Sequence, residues 1–292
     1  MVGSIGYFSR CHSVPCPWCG FNRGLSLWRR ASSNITFREL RCNLADVTSA
    51  DPFRHLPQLR DRLTPAEASA LRFTPERLAK WDEQAQQLGE PANWRCSTEE
   101  LEASRQALLA QIDTSDGLWV YSYGSLMSDP GFHFAEVRVA ELAGYQRRFS
   151  YMTKIARGSP EYPGLMLSLD EFAGTCSGLA FRIAADLVQT ESAMVWGREM
   201  IRGGYCARLL PVRTPQGPIT ALVFCSNPFH PEHVDEMTLE ETAAIIASGS
   251  GVLGTNREYL ERVAAQLERL GITDDYIEHL VQRVRCIPAP SL

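Results

Sequence analysis

Leu118-Trp119-Val120-Tyr121-Ser122 runs into Tyr123-Gly124-Ser125-Leu126-Met127, and this junction decides the fold. The first five residues are mostly aromatic, β-branched or apolar, the composition of a buried strand. Gly124 then marks a turn. A turn at a strand end can aim consecutive main-chain N–H groups at a carboxylate or phosphate. With no side chain, Gly124 lets a ligand approach that backbone. Further along, Arg198-Glu199-Met200-Ile201-Arg202 leads into Gly203-Gly204-Tyr205, which puts one carboxylate near the end of a helical pattern. An anion-holding turn with one isolated acid or base suits a small anionic substrate. The same residues also fit a strand-turn element beside an ordinary solvated glutamate.

Outward from the junction, strands are predicted at 118–123, 137–151, 164–170, 176–184, 205–213 and 219–226. A helix from about Asp186 to Arg202, with Leu187, Met194, Val195 and Trp196 apolar, separates the fourth from the fifth. Three helices follow. Thr238-Leu239-Glu240-Glu241 is a capping box opening the first, Thr255-Asn256-Arg257-Glu258 opens the second, which stops at Gly271, and Thr273-Asp274 starts the last. Strands first and helices later, with one helix inserted, give an α+β class. Ser248-Gly249-Ser250-Gly251 is expected simply to join two helices.

Upstream, residues 60–112 read as helices. Thr64-Pro65 and Thr74-Pro75 each put a capping hydroxyl before a proline at the first helical position. Ser97-Thr98-Glu99-Glu100 is a capping box, followed by Leu101, Leu108, Leu109 and Ile112 on one face. Residues 61–117 are therefore expected as a helical lead-in that packs on a domain at 118–286 and carries no chemistry. Residues 1–60 differ: no acidic residue precedes Glu39, while Arg10, Arg23, Arg29, Arg30 and Arg38 all fall in that stretch, and no period of 2 or 3.6 is sustained. A disordered extension, or a start codon placed too far upstream, is the expectation there. Cys16-Pro17-Trp18-Cys19 lacks a second matched pair and flanking strand and helix, so neither zinc nor redox function is assigned to it.

The chain has 292 residues, 45% of them hydrophobic, enough for a full core. A net charge of −5 argues against a nucleic-acid partner, which needs a concentrated basic face. No apolar run approaches the ~18–20 residues of a membrane span. Nine cysteines, an odd number, are too few for a disulfide scaffold at this length, which suits a reducing cytoplasm. His230-Pro231-Glu232-His233 is broken by proline and is not read as a metal helix.

From Trp119 to about Arg285 the chain resembles the ChaC-like, glutathione-specific γ-glutamylcyclotransferases. The resemblance rests on Tyr123 to Met127, Gly144-Tyr145 with Arg147-Arg148-Phe149, Arg157-Gly158 and Pro163-Gly164. It continues through Gly178-Leu179-Ala180, Arg198-Glu199, Gly204-Tyr205, Asn227-Pro228 with His230-Pro231-Glu232, and Gly254-Thr255-Asn256 with Tyr259-Leu260. It implies a small mixed β-barrel with helices packed outside. The implied reaction is cyclisation of the γ-glutamyl unit of glutathione, releasing 5-oxoproline and cysteinylglycine without a cofactor. The alternatives are a cyclotransferase for other γ-glutamyl amino acids or amines, and a non-catalytic γ-glutamyl-binding protein.

A γ-glutamyl peptide carries its own nucleophile, its α-amine, so the protein needs a clamp, a base for the ammonium and a proton for the leaving nitrogen. By resemblance Glu199 is the acid/base. Arg198, adjacent on the helix, is expected to point away from it. The substrate loop comprises Val120, Tyr121, Ser122, Tyr123, Gly124, Ser125 and Leu126, with the Ser125 and Leu126 N–H groups on the α-carboxylate. Arg157 is expected to meet the glycyl carboxylate from a mobile loop, and Tyr205 to wall the pocket. Ser122 departs from the family's usual glycine, and Ser128-Asp129-Pro130 replaces a tryptophan-containing stretch.

Overall fold

In this computed structural model, residues 51–288 are described. Strand β1, Leu118–Ser122, buries four of its five residues, and both of its edges are paired. One edge takes β3, Gly164–Ile183, antiparallel with Val120 opposite Phe181; the other takes β5, Gly217–Ser226, parallel with Val120 opposite Leu222. With β2, Glu136–Thr153, and β4, Tyr205–Thr214, these form a closed barrel in the order β1–β3–β2–β4–β5. The fold class is thus the expected α+β barrel with helices outside.

Two predicted strands, 164–170 and 176–184, are one. The exposed stretch from Glu171 to Thr175 breaks the apolar pattern; Glu171 and Thr175 still pair with Tyr145 and Ala143 of β2, while Phe172 to Gly174 bulge out opposite Gly144. At ~3.3 Å per residue, a 20-residue strand spans roughly 65 Å, too long for one side of a small barrel. The register shifts between Ala143 and Tyr145 and between Phe149 and Tyr151 let the β2–β3 ribbon bend, its middle projecting into solvent. Phe149, Leu167, Leu179, Phe181, Leu222 and Phe224 of the strands are buried in the core.

The capping signals place the helices. Helix α1 is Pro75–Gln87, α2 is Thr98–Leu109, α3 is Val188–Met200, α4 is Leu239–Ser248, α5 is Asn256–Arg269 and α6 is Asp275–Cys286. Ser97, Thr238 and Thr255 form reciprocal capping boxes with Glu100, Glu241 and Glu258. Thr74 accepts from the Arg77 N–H and Asp274 from the Ile277 N–H. Gly89 and Gly271 follow α1 and α5 at φ 75° and 65°, the left-handed region that ends a helix. Thr64-Pro65 starts only a 3-10 turn, Ala66–Ala68. Leu187 precedes α3 and is 37% exposed, so it does not belong to the apolar face read from the sequence. The glycine-rich 248–251 stretch is no simple joint: Ser250–Gly251 (β6) pairs with Gly254–Thr255 (β7).

Packed structure begins before residue 60. Leu56 and Leu59 are buried, the latter in a 3-10 turn at Pro57–Leu59, so the expected extension does not reach 60. The Cys16–Cys19 motif lies outside the described residues. Among the described residues no helix is long and apolar enough to cross a membrane.

The lead-in docks on α3. Arg72 grips the buried Glu191 with two bonds, 2.8 and 2.9 Å, and also donates to the Gly131 carbonyl. Arg105 donates to Ser192 Oγ at 2.7 Å, and the Trp196 indole to Ser104 Oγ. Phe73 lies on Gly197: a Cβ there would sit 2.2 Å from Phe73 Cδ1. Alanine in place of a mid-helix glycine ordinarily stabilises by ~0.5–1 kcal/mol. Here the clash wins, and Gly197→Ala should cost about 1–3 kcal/mol by thermal unfolding. A rise in melting temperature would show that Phe73 yields freely.

Candidate active site

Glu199 is the penultimate residue of α3, and Ile201-Arg202-Gly203-Gly204 carries the chain from there into β4. Gly203 has φ 71°, which reverses the chain after the helix. At Gly204 a Cβ would lie 2.2 Å from the Tyr151 ring, which packs flat on that backbone. Tyr205 then opens β4, stacked on Tyr151 with its hydroxyl donating to the Leu167 carbonyl at 3.0 Å.

The carboxylate of Glu199 faces a cavity of about 220 Å³, lined among others by Tyr123, Gly124, Ser125, Leu126, Arg157, Tyr205 and Tyr259. Its side chain is only 13% exposed. Burial pushes its carboxyl above the ordinary glutamate value, and the neighbouring Arg198 guanidinium opposes this without reversing it. The C-terminal end of α3 acts in the same direction as burial, since a helix C-terminus disfavours negative charge. Arg198 does not point away, as adjacency on a helix suggested. Its long side chain folds back so that Nε lies 3.1 Å from Glu199 Oε1, while its other nitrogens donate to Ser125 Oγ at 2.9 Å and the Asp129 carbonyl at 2.6 Å. Arg198 therefore ties the acid to the turn that follows β1.

That turn is a single 3-10 turn, Ser125–Met127, with Gly124 at its start. The first amides of a helical turn have no partner inside it, which leaves the Ser125 and Leu126 N–H groups at the cavity end. Buried Arg147 holds the strand end from behind, donating to the Tyr123 carbonyl at 2.6 Å. Burial raises the hydroxyl pKa of Tyr123, Tyr205 and Tyr259, and the charge of Glu199 adds to each. All three remain protonated donors at neutral pH.

Arg157 is about nine-tenths buried, and its Nη1 has no hydrogen-bond partner among the described residues, with Glu258 Oε2 at 3.8 Å. Burial lowers its pKa, and Arg262 acts the same way. A guanidinium stays charged regardless, so Arg157 is a cation at the cavity wall, 5.8 Å over the Tyr259 ring, with one nitrogen left without a hydrogen bond. Its loop is pinned: Leu253 N–H donates to the Ala156 carbonyl, and a Cβ on Gly251 would meet the Gly158 carbonyl at 2.2 Å. The glycine-rich hairpin thus serves as a backing plate for Arg157.

Of the residues read from the sequence, Glu199, Tyr123, Gly124, Ser125, Leu126, Arg157 and Tyr205 meet at this cavity. Val120, Tyr121 and Ser122 do not line it. They are fully buried inside β1, where Tyr121 donates to the Cys176 carbonyl at 2.7 Å and the Ser122 hydroxyl has no hydrogen-bond partner among the described residues. Tyr259 was missed as a site residue, although Asn256, Tyr259, Leu260 and Val263 mark the buried face of α5. Asn256 pairs with both main-chain groups of Leu165, which fixes that face against β3. The lead-in was read as free of chemistry, yet Leu71, Trp81, Gln84 and Trp94 also line the cavity. No motif announces them.

A family model described as ChaC-like protein matches residues 118–287. The chain is 35% identical over 196 residues to a glutathione-specific γ-glutamylcyclotransferase of Escherichia coli, covering 67% of this chain and 84% of that one. It is 30% identical over 185 residues to glutathione-specific γ-glutamylcyclotransferase 1 of Homo sapiens, covering 60% and 83%. The crystal structure of the yeast γ-glutamyl cyclotransferase specific to glutathione superposes with a TM-score of 0.54 at 23% identity, over 58% of this chain and 96% of that one. With the barrel, the turn after β1 and the match over 118–287 in hand, the chain belongs to the ChaC-like family.

Proposed function

We propose that this protein is a γ-glutamylcyclotransferase, a lyase that converts glutathione to 5-oxoproline and cysteinylglycine in the cytoplasm. The observation that carries the reading is Glu199, a desolvated carboxylate facing the same cavity as the turn after β1. Relatives in bacteria, fish and mammals bear the matching name. Buried thiols at Cys176 and Cys225 fit a reducing compartment.

Glu199 takes a proton from the α-ammonium of the glutamyl unit. The freed amine attacks the γ-carbonyl carbon, forming the lactam C–N bond. As the tetrahedral intermediate collapses, the attacking nitrogen sheds a second proton, the bond to the cysteinyl nitrogen breaks, and that nitrogen receives both protons, the first returned by Glu199, and leaves as an ammonium. Water is neither consumed nor released. Holding amine and carbonyl in contact supplies up to ~7–11 kcal/mol in the best intramolecular models. Proton transfer through a positioned carboxyl typically contributes a further ~10²–10⁴-fold, most when its pKa is lifted toward the working pH. The Ser125 and Leu126 N–H groups hold the α-carboxylate, and Arg157 takes the glycyl carboxylate.

The direct test is 5-oxoproline release from glutathione by the purified chain in the presence of a chelator. Release from γ-glutamyl-alanine but not from glutathione would move the substrate assignment. Arg157→Met should raise KM for glutathione about 10–100-fold with a smaller change in kcat, the loss of one charge-assisted contact of ~1.5–3 kcal/mol. An unchanged KM would remove Arg157 from substrate binding.

A further inference from the structure

We infer that the lead-in forms the subsite for the residue that follows the γ-glutamyl unit, and that this subsite selects an apolar or sulfur-bearing side chain. The inference rests on the cyclotransferase reading above and adds to it the residues that set substrate preference.

The cavity has a deep end and a mouth. Tyr123, Leu126, Leu167, Phe224 and Tyr259 at the deep end are buried, which suits the glutamyl unit whose charges must be stripped of water to react. Trp81 and Trp94 are partly exposed and Gln84 is exposed, so they stand at the mouth, where the leaving dipeptide extends. This wall lies outside the matched 118–287 segment.

The wall is built to hold its shape. Trp94 donates its indole N–H to Asp82 Oδ1 at 2.9 Å, and Arg95 clamps the same carboxylate at 2.7 and 3.0 Å. The Cys96 N–H donates to the Ile201 carbonyl at 2.8 Å, two residues beyond Glu199. Trp81 leans on Phe73, which sits on Gly197 of α3. The indoles are thereby locked relative to the acid.

Charge sorts the two ends of the leaving dipeptide. On the lead-in flank Arg202 has Glu232 at 2.7 Å and Glu90 at 3.5 Å; its Nη1, like that of Arg157, makes no hydrogen bond among the described residues, so the two sites differ in charge count, with two carboxylates for one guanidinium here. That flank repels a further carboxylate. Arg157, with a single carboxylate, Glu258 at 3.8 Å, and the Arg262 charge nearby, attracts one. The terminal carboxylate therefore goes to Arg157, and the side chain of the leaving residue lies against Leu71, Trp81 and Trp94.

The test uses the full chain and two peptides, glutathione and γ-glutamylglycylglycine, which lacks the side chain in question. For each, kcat/KM is measured, with Ki as a competitive inhibitor replacing it for a peptide that is not turned over. The wild type should prefer glutathione at least tenfold, and Trp81→Leu with Trp94→Ala should reduce that preference below threefold. Trp81→Leu alone keeps apolar contact with Phe73 and should halve the preference or more, which covers a double variant that fails to fold. A preference that survives in the variants, a wild type with none, or equal loss on both peptides overturns the inference. A wild type that releases no 5-oxoproline from any γ-glutamyl peptide overturns the cyclotransferase reading itself.

Discussion

Glu199→Gln is expected to lower kcat for 5-oxoproline release from glutathione at least ~100-fold, the scale of a lost general acid–base group. The amide keeps the shape and volume of the side chain but can neither take the ammonium proton nor return it. KM should change little, because the clamp at Ser125, Leu126 and Arg157 is untouched. Equal activity in the two proteins would remove Glu199 from the mechanism. The pH profile gives a second reading. The wild-type kcat/KM should fall on the acid side, with its limb above the ordinary glutamate value of about 4.5, since burial raises this carboxyl. A limb at the ordinary value would mean that the Arg198 contact offsets the desolvation.

The same burial has a consequence for stability. A carboxyl whose folded pKa is raised favours the folded state below its unfolded pKa, and that contribution is lost as pH rises through the folded value. At neutral pH the ionised Glu199 therefore works against the fold, and Glu199→Gln should melt higher than the wild type, with the gap closing near pH 4. Arg198 loses one contact in the variant but keeps Ser125 Oγ and the Asp129 carbonyl. A variant less stable at neutral pH would show that the ion pair outweighs the desolvation.

How far the sequence could be read follows from the range of each signal. Helix starts were legible because a capping box is four residues long and satisfies its own donors, as at Ser97, Thr238 and Thr255. The β1 turn and Glu199 were legible because the matching pieces keep their order and spacing. The join of two predicted strands into β3 was not, because Glu171 and Thr175, on either side of an exposed bulge, are held by pairing with Tyr145 and Ala143 of β2, a long-range fact. Val120, Tyr121 and Ser122 do not line the cavity for a related reason. Strands on both edges of β1 leave its side chains to the core, and only the residues past its end reach the cavity. The lead-in wall was invisible because Trp81 and Trp94 acquire their position through Asp82, Ile201 and Gly197, none of which forms a local pattern with them. Arg198 misled because adjacency on a helix constrains Cβ directions, not the reach of a guanidinium.

Arg147→Met is expected to be the most destabilising single change outside the apolar core, at about 3–5 kcal/mol, the scale for breaking a buried ion pair from one side. The side chain is 1% exposed and bridges three elements. Nε donates to the Tyr123 carbonyl, Nη1 pairs with Asp274 Oδ2 at 2.8 Å, and Nη2 donates to the Ser177 carbonyl on β3. Methionine fills comparable space but leaves two carbonyls and a carboxylate without their donor. At ~2–4 °C per kcal/mol for a domain of this size, the melting temperature should drop by roughly 6–20 °C. The cause can be separated with Asp274→Asn, which keeps a capping oxygen for the Ile277 N–H. If the ion pair carries the effect, Asp274→Asn costs much less in the Arg147→Met background than alone. A drop below 1 kcal/mol for Arg147→Met would mean that water replaces the guanidinium. Since the Tyr123 carbonyl sits directly before Gly124, the folded fraction should also bind glutathione more weakly: the strut that stabilises the barrel is the one that fixes the turn after β1.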